Sequence, residues 1–399
     1  MVASSRWRNL GAAAGAVTAA LFAIFDLYQW ALAYAGDRFH NDFTFYFAAA
    51  KVGLMHGWGS IYDLALQQAQ LDAMGSRITI AQLARYISPP PVAWSALPFT
   101  ALPYEVAYWV WSALLLAALA AASWLVSPPV GRARVIFLAA ALGWLPVIYG
   151  LQLGQPGLFV ALGVAGSYAL LKAGRPMWAG VALGALALKP QLGFLVPPAL
   201  LAAREYRAFL GSVSALGVLG VASALALGGD GLNAYVDRLS FAAGVPVNRE
   251  LTIAYFAGTG TATRLIQFTF ALWSLGLAAL LRRRGIEWVY ACALVGGMLV
   301  TPYVHLDDLV MLGLAALLVL RGRPPVWAWV YALVGVLAVE GEPIWGPGPV
   351  IVAELGALVL LSVAALKTES RTEARPGSSP EEAPGESQAA RLPRPTTLR

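Results

Sequence analysis

The chain has 399 residues, of which 59% are hydrophobic and only 12% charged, with a mean hydropathy of +0.67, against roughly 25% charged residues in a soluble domain. A soluble globular protein is excluded, and at about 20 residues per crossing there is room for about a dozen membrane helices. The single cysteine, Cys292, excludes an internal disulfide and thiolate metal centres, and with a formal net charge of +6 the placement of the basic residues is the informative electrostatic signal.

In chain order, apolar stretches predict spans at about 10–34, 104–126, 134–150, 157–172, 176–188, 191–203, 208–228, 264–281, 287–301, 308–320, 325–340 and 348–366. If the N-terminus is cytoplasmic, the inside breaks carry Arg6, Arg8, Arg132, Arg134, Lys172, Arg175, Arg204, Arg207, Arg282, Arg283, Arg284, Arg321 and Arg323. The outside breaks carry eight basic residues, although two of them are long. Basic residues therefore gather inside. The first span lacks a convincing cleavage site and contains Asp26, so it reads as an uncleaved helix. The expected architecture is an all-α polytopic membrane domain over 1–366, with about 12 transmembrane helices, a long exoplasmic first loop at 35–103 and a second at 229–263. Residues 367–399, rich in Pro, Glu, Ser and Arg, read as a disordered cytoplasmic tail.

The asymmetry of the loops points to an outward working face. The first loop opens with Gly-Asp-Arg-Phe-His-Asn-Asp-Phe-Thr-Phe-Tyr-Phe (36–47). This places Asp42 near the membrane surface, as a solvated carboxylate, a helix cap or a reactive group. Residues 43–55 and 64–75 read as interfacial helices separated by Gly57-Trp58-Gly59, with their aromatics open to a role as a lipid-interface belt. Ser88-Pro89-Pro90-Pro91 reads as a non-helical segment feeding the second span. Between spans three and four lies Tyr149-Gly150-Leu151-Gln152-Leu153-Gly154-Gln155-Pro156-Gly157, which combines close backbone approach with hydrogen-bonding amides. Lys189, where two short apolar segments meet, reads as a phosphate-binding point charge or as a snorkelling lysine. Thr301-Pro302-Tyr303-Val304-His305-Leu306-Asp307-Asp308 forms the last cluster. No fixed ligand spacing calls for a metal there, and Asp308 is equally readable as a helix cap. Arg249, Glu250 and Arg264 read as ordinary charges of the second loop.

Asp42-Phe-Thr-Phe-Tyr46, Ile61-Tyr62-Asp63, Ser88-Pro-Pro-Pro91, Gly154-Gln155, Ala-Leu-Lys189-Pro190 and Thr301-Pro302-Tyr303-Val-His305, in this order over residues 40–320, resemble glycosyltransferase family 87. The resemblance implies a membrane glycosyltransferase of the C-type fold, with a sugar donated by a polyprenyl phosphate and with Asp42 as catalytic base. The last motif departs from the family, with Thr301-Pro302 and a single His305 followed by Asp307. Donor or substrate contacts are expected from Tyr46, Gln155, Lys189 and His305. No metal or cofactor is expected beyond the lipid-linked sugar as co-substrate. The expected partners are the polyprenyl-phosphate sugar, a glycolipid or lipoglycan acceptor and the lipid bilayer, with no nucleic acid. Arginine outnumbers lysine 23 to 4, a usage typical of GC-rich bacterial genomes, so the expected location is a bacterial inner or plasma membrane, with both termini cytoplasmic and the site exoplasmic. The resemblance agrees with a physical argument: nucleotide sugars do not cross a bilayer, so outward-facing chemistry needs a lipid-delivered donor. The rival reading is a secondary transporter or lipid flippase working through Asp26 and Glu354, carboxylates within spans one and twelve.

Overall fold

A computed structural model describes residues 2–81, 84–127, 138, 141–321 and 326–373. Part of the third predicted span, Arg132, Arg134 and Arg323 of the inside breaks, and most of the tail lie outside the described residues. Within them the chain is helical, without strands. The helices are α1 (Val2–Gly36), α2 (Phe43–His56), α3 (Leu64–Ala73), α4 (Pro90–Ala96), α5 (Tyr104–Val126), α6 (Leu145–Leu153), α7 (Gly157–Lys172), α8 (Pro176–Ala182), α9 (Val196–Ala202), α10 (Tyr206–Gly244), α11 (Ala254–Ala257), α12 (Thr261–Leu281), α13 (Ile286–Val300), α14 (Val310–Leu320), α15 (Val326–Glu340), α16 (Glu342–Trp345) and α17 (Gly348–Glu373).

Among the described residues five helices, α1, α5, α10, α12 and α17, are long and apolar enough to cross a membrane. The other seven predicted segments are helices of 7 to 16 residues. Several are shortened because the chain leaves the α-helix at its polar breaks. The segment around Lys189 is the clearest case: α8 runs into a 3-10 turn at Leu183–Ala187, and a second turn at Pro190–Leu192 precedes α9. Non-helical backbone of this kind persists in a membrane protein only where protein or water satisfies its polar groups.

Helices α5 and α7 pack together, as do α8 and α10, α12 and α13, and α13 and α14. The α8–α10 crossing is made by small residues. A methyl group at Gly180 would overlap the Ala208 carbonyl and approach the Ser212 amide at 2.6 Å, so the two backbones touch. Outward faces such as Val218, Val221 and Leu225 on α10 stay exposed, as a lipid-facing surface does.

The first loop differs from its sequence reading. Helix α2 is enclosed by protein: Phe43 through Ala50 are buried without exception, because α3, α4 and the turn at Leu97–Ala101 pack around it and Tyr104, Tyr108 and Trp111 of α5 meet Phe43. The proline run does not forbid a helix either. Pro90 and Pro91 occupy the first turn of α4, where no intrahelical N–H is required. In the second loop, residues 229–244 continue α10 as a helix after one non-helical residue, Gly228 (φ 63°, ψ −171°). The turn at Trp58–Ser60 docks onto this break, where a Cβ on Gly231 would stand 2.8 Å from the Gly59 carbonyl oxygen.

Gly180→Val is therefore expected to lower stability by about 3 kcal/mol, as overpacking of a closed contact does. Gly217→Ala, whose added methyl meets nothing within 4 Å, is expected to leave the thermal unfolding midpoint of the detergent-solubilised protein unchanged or slightly raised.

Candidate active site

Asp42 stands at the N-cap position of α2 yet its side chain makes no capping bond. The neighbouring Asn41 does that work, its Oδ1 accepting from the Thr44 N–H at 3.1 Å. The Asp42 backbone N–H donates to the Leu153 carbonyl at 2.9 Å, tying the start of α2 to the end of α6. The carboxylate is left to face inward, and Gln155 Nε2 donates to its Oδ2. The amide of Gln155 is itself oriented by Tyr46, whose hydroxyl donates to Gln155 Oε1 at 3.0 Å. Among the described residues Asp42 Oδ1 carries no hydrogen bond, and the carboxylate keeps partial solvent access.

Gln155 reaches this position because α6 ends in a left-handed turn. Gly154 has φ 69°, its N–H returns to Leu151 O and that of Gln155 to Gly150 O, a pattern that satisfies the last carbonyls of a helix. Gly154 is also tight against α2, where a Cβ would lie 2.8 Å from Phe43 Cβ. Trp111 Nε1 fixes the turn by donating to Gly154 O at 2.8 Å.

The second half of the site is a buried charge cluster. Lys189 Nζ donates to Asp307 Oδ2 at 2.6 Å and to Asp308 Oδ1 at 2.5 Å, and all three residues are buried. Asp308 Oδ2 accepts from the His305 N–H at 2.9 Å, so the capping role open to Asp308 coexists with the ion pair. Asp307 Oδ1 is buried without a partner. His305 Nε2 lies 2.8 Å from Asn248 Oδ1, and Tyr303 packs beside the imidazole with ring centroids 4.7 Å apart.

These groups feel one another. Burial, reinforced by the negative charge of Asp307, pushes the Asp42 carboxyl up to about 6, against the opposing pull of His305, Lys189 and the Gln155 hydrogen bond. Burial alone would push the Lys189 ammonium down, but Asp307 and Asp308 more than offset it, so lysine remains charged. Burial, with the nearby carboxylates adding to it, lifts Tyr46 and Tyr303 above the ordinary phenol range, so both stay neutral. No group of three His, Cys, Asp or Glu side chains is placed to hold a metal among the described residues.

The family model of glycosyltransferase family 87 matches residues 86–341. The chain belongs to glycosyltransferase family 87. No curated protein and no solved structure matches it. Gln155, Lys189 and His305 fall inside the region shared with family 87, whereas Asp42 and Tyr46 precede it; the structure nevertheless joins Tyr46, Gln155 and Asp42 in one hydrogen-bonded chain. This family 87 protein is thus a membrane glycosyltransferase. Of the carboxylates on which a transporter would rely, Asp26 lies on α1 and Glu354 on α17, and Glu354 Oε1 is buried without a hydrogen-bond partner among the described residues.

Two features of this candidate site are absent from the sequence reading. Asn248 is buried and bridges the second loop to the last motif, accepting from the Val304 N–H through its own carbonyl at 3.2 Å. No local pattern marks it. The engagement of Lys189 by Asp307 and Asp308 links residues 118 and 119 positions apart, and leaves the ammonium as a counter-ion of the protein's own carboxylates.

Lys189→Gln is expected to destabilise the fold by about 3–5 kcal/mol, since it strands two buried carboxylates. Adding Asp307→Asn and Asp308→Asn to the same chain is expected to recover much of that loss, as read by thermal unfolding.

Proposed function

We propose that this membrane glycosyltransferase moves a hexose, mannose being the expected sugar, from a polyprenyl-phosphate sugar donor to a glycolipid or lipoglycan acceptor on the exoplasmic face of a bacterial plasma membrane. The observation that carries the reading is the free Oδ1 of Asp42, on a carboxylate that caps nothing, is aimed by Gln155 and is lifted toward neutrality by its surroundings. A general base working near neutral pH needs this combination of geometry and basicity.

The chemistry is a single displacement. The acceptor hydroxyl gives its proton to Asp42 Oδ1 as its oxygen attacks the anomeric carbon. The bond from that carbon to the phosphate oxygen breaks, and the electron pair leaves with the polyprenyl phosphate. Attack opposite the leaving group inverts the anomeric centre, so a β-linked donor yields an α-glycoside. The leaving group departs as a stable anion, and no general acid is required. Tyr46 and Gln155 act as positioning residues: their polar atoms bind one another and Asp42. His305, held by Asn248, stands next to the buried Lys189–Asp307–Asp308 cluster and is the expected contact for the donor sugar. No cofactor enters this scheme, and the donor lipid serves as co-substrate.

In membranes containing equal amounts of protein, Asp42→Asn is expected to reduce sugar transfer from labelled polyprenyl-phosphate-mannose by about a thousandfold, the scale of a lost general base. Equal product from both proteins would remove Asp42 from the mechanism. The acid limb of the pH profile gives an independent check. Because the base works deprotonated and its carboxyl is pushed up to about 6, kcat/KM is expected to fall about tenfold per unit below that value and to level off above it. An acid limb near the ordinary carboxylate range would contradict this assignment.

A further inference from the structure

The site described above holds three aspartates and one lysine already bonded to two of them, so a phosphate brought to it meets an excess of negative charge. Two arginines nearby lack such engagement. Arg85, in the first loop, and Arg238, on the second half of α10, each have a buried Nε without a hydrogen-bond partner, and neither forms an ion pair with a carboxylate among the described residues. The Arg85 guanidinium lies 4.1 Å from the centroid of the Phe241 ring, one turn beyond Arg238. Burial and the like charge of Arg238 push Arg85 below the ordinary arginine value. Two like charges held together without a counter-ion are unfavourable by themselves, and an anion between them reverses the sign of the interaction. Guanidinium groups, with several donors in a planar fork, suit phosphate oxygens in particular.

The location decides which kind of phosphate. Tyr235, one turn before Arg238, stacks on Tyr62 at 4.9 Å between ring centroids, Tyr62 stacks on Tyr86 at 5.4 Å, and Tyr86 meets Tyr46 edge-on at 6.3 Å. A continuous run of rings therefore links the arginine pair to the residue that orients Gln155 against Asp42. On an adjoining face of the same helix Leu232, Val236 and Leu239 form an exposed stripe at helical spacing, as in a helix lying at a lipid boundary. The pair thus shares α10 with an exposed apolar stripe and with the run of rings that leads to Tyr46.

We infer that Arg85 and Arg238 form a cradle for a lipid-borne phosphate, that of the polyprenyl-phosphate sugar donor, with the isoprenoid tail leaving across the Leu232, Val236 and Leu239 stripe. The assignment rests on the donor reading given above. In the transfer step the electron pair of the broken bond stays on the phosphate oxygen, and the two guanidiniums neutralise the charge that develops there.

The test uses the full chain in phosphatidylcholine nanodiscs and measures binding of decaprenyl phosphate and of decaprenol, which lacks the phosphate. Wild type is expected to bind decaprenyl phosphate far more tightly than decaprenol. R85Q and R238Q are each expected to weaken the phosphate ligand about tenfold, and the double variant about a hundredfold, as lost charge-assisted bonds do. Decaprenol binding and thermal unfolding are expected to stay unchanged, and R85K and R238K to retain part of the affinity. R77Q, an exposed arginine of the same loop, is the control. Wild-type binding that survives in the double variant overturns the arginine assignment and leaves the donor reading standing. Absence of wild-type binding to decaprenyl phosphate overturns both. Arginine-dependent binding that phosphatidylglycerol displaces as readily as decaprenyl phosphate assigns the cradle to a bulk anionic lipid and overturns the donor assignment.

Discussion

The interaction on which the site depends is the pair of bonds from Lys189 to Asp307 and Asp308. It joins two places where the chain leaves the helix, the break between α8 and α9 and the break between α13 and α14. Each break exposes backbone polar groups, and in a lipid-embedded chain such segments need fixed partners. The lysine supplies one in the form of charge, while Asp308 adds the His305 N–H. Asn248 then carries the connection into the second loop through His305 and Val304. A buried ion pair adds little net stability, yet breaking one is costly. Its value here is register: it holds the last motif against α6, whose Gly150 approaches Asp307 so closely that an added Cβ would stand at 3.3 Å.

With that frame fixed, the placement of Asp42 follows from local chemistry. Capping is delegated to Asn41, so the carboxylate is not consumed by the helix it begins. The left-handed Gly154 brings Gln155 back across the end of α6, and Tyr46, one turn into α2, sets the amide so that its N–H faces Asp42. The described part of the first loop is tied together by its own hydrogen bonds. Tyr62 donates to Ser88 O at 2.8 Å, Tyr86 donates to Pro89 O at 2.6 Å, and Gln67 accepts from the Tyr86 N–H at 2.9 Å. The prolines pre-set the backbone that these hydroxyls hold.

Hydropathy made the apolar segments legible, because burial in lipid or in protein imposes the same composition, and the described ones are helical, with α8 and α9 shorter and α10 longer than read from sequence. It could not separate lipid-facing from protein-enclosed helices. The aromatic run Phe43 to Phe47 reads as interfacial, but its neighbours α3, α4 and α5 come from far along the chain and enclose it. The Gly-rich stretch after Leu227 reads as the start of a loop, whereas a single left-handed residue suffices and the helix resumes. Asp42, Tyr46, Gln155, Lys189 and His305 were visible as polar residues at breaks on one face. Their division into an orienting chain and a charge cluster was not, since Lys189 and its two aspartates are separated by more than a hundred positions. Asn248 and the arginine pair carry no motif at all, and only three-dimensional proximity reveals them.

The strength of the proposed base and the stability of the frame are consequences of the same charges. Lys189 balances only part of the negative charge of Asp307 and Asp308, and the unbalanced remainder at Asp307 is what helps to lift Asp42. In the proposed reaction a donor phosphate adds further negative charge to this neighbourhood. Left uncompensated, that charge would raise Asp42 again, making it more basic but less often ionised, and the gain in proton affinity would be offset by the loss of the active form. A second positive centre is therefore needed, and it must be separate from Lys189, whose bonds are already committed. Arg85 and Arg238, beside the run of aromatic rings, meet this requirement in the proposed reaction: they compensate the donor phosphate without neutralising the aspartates that tune the base.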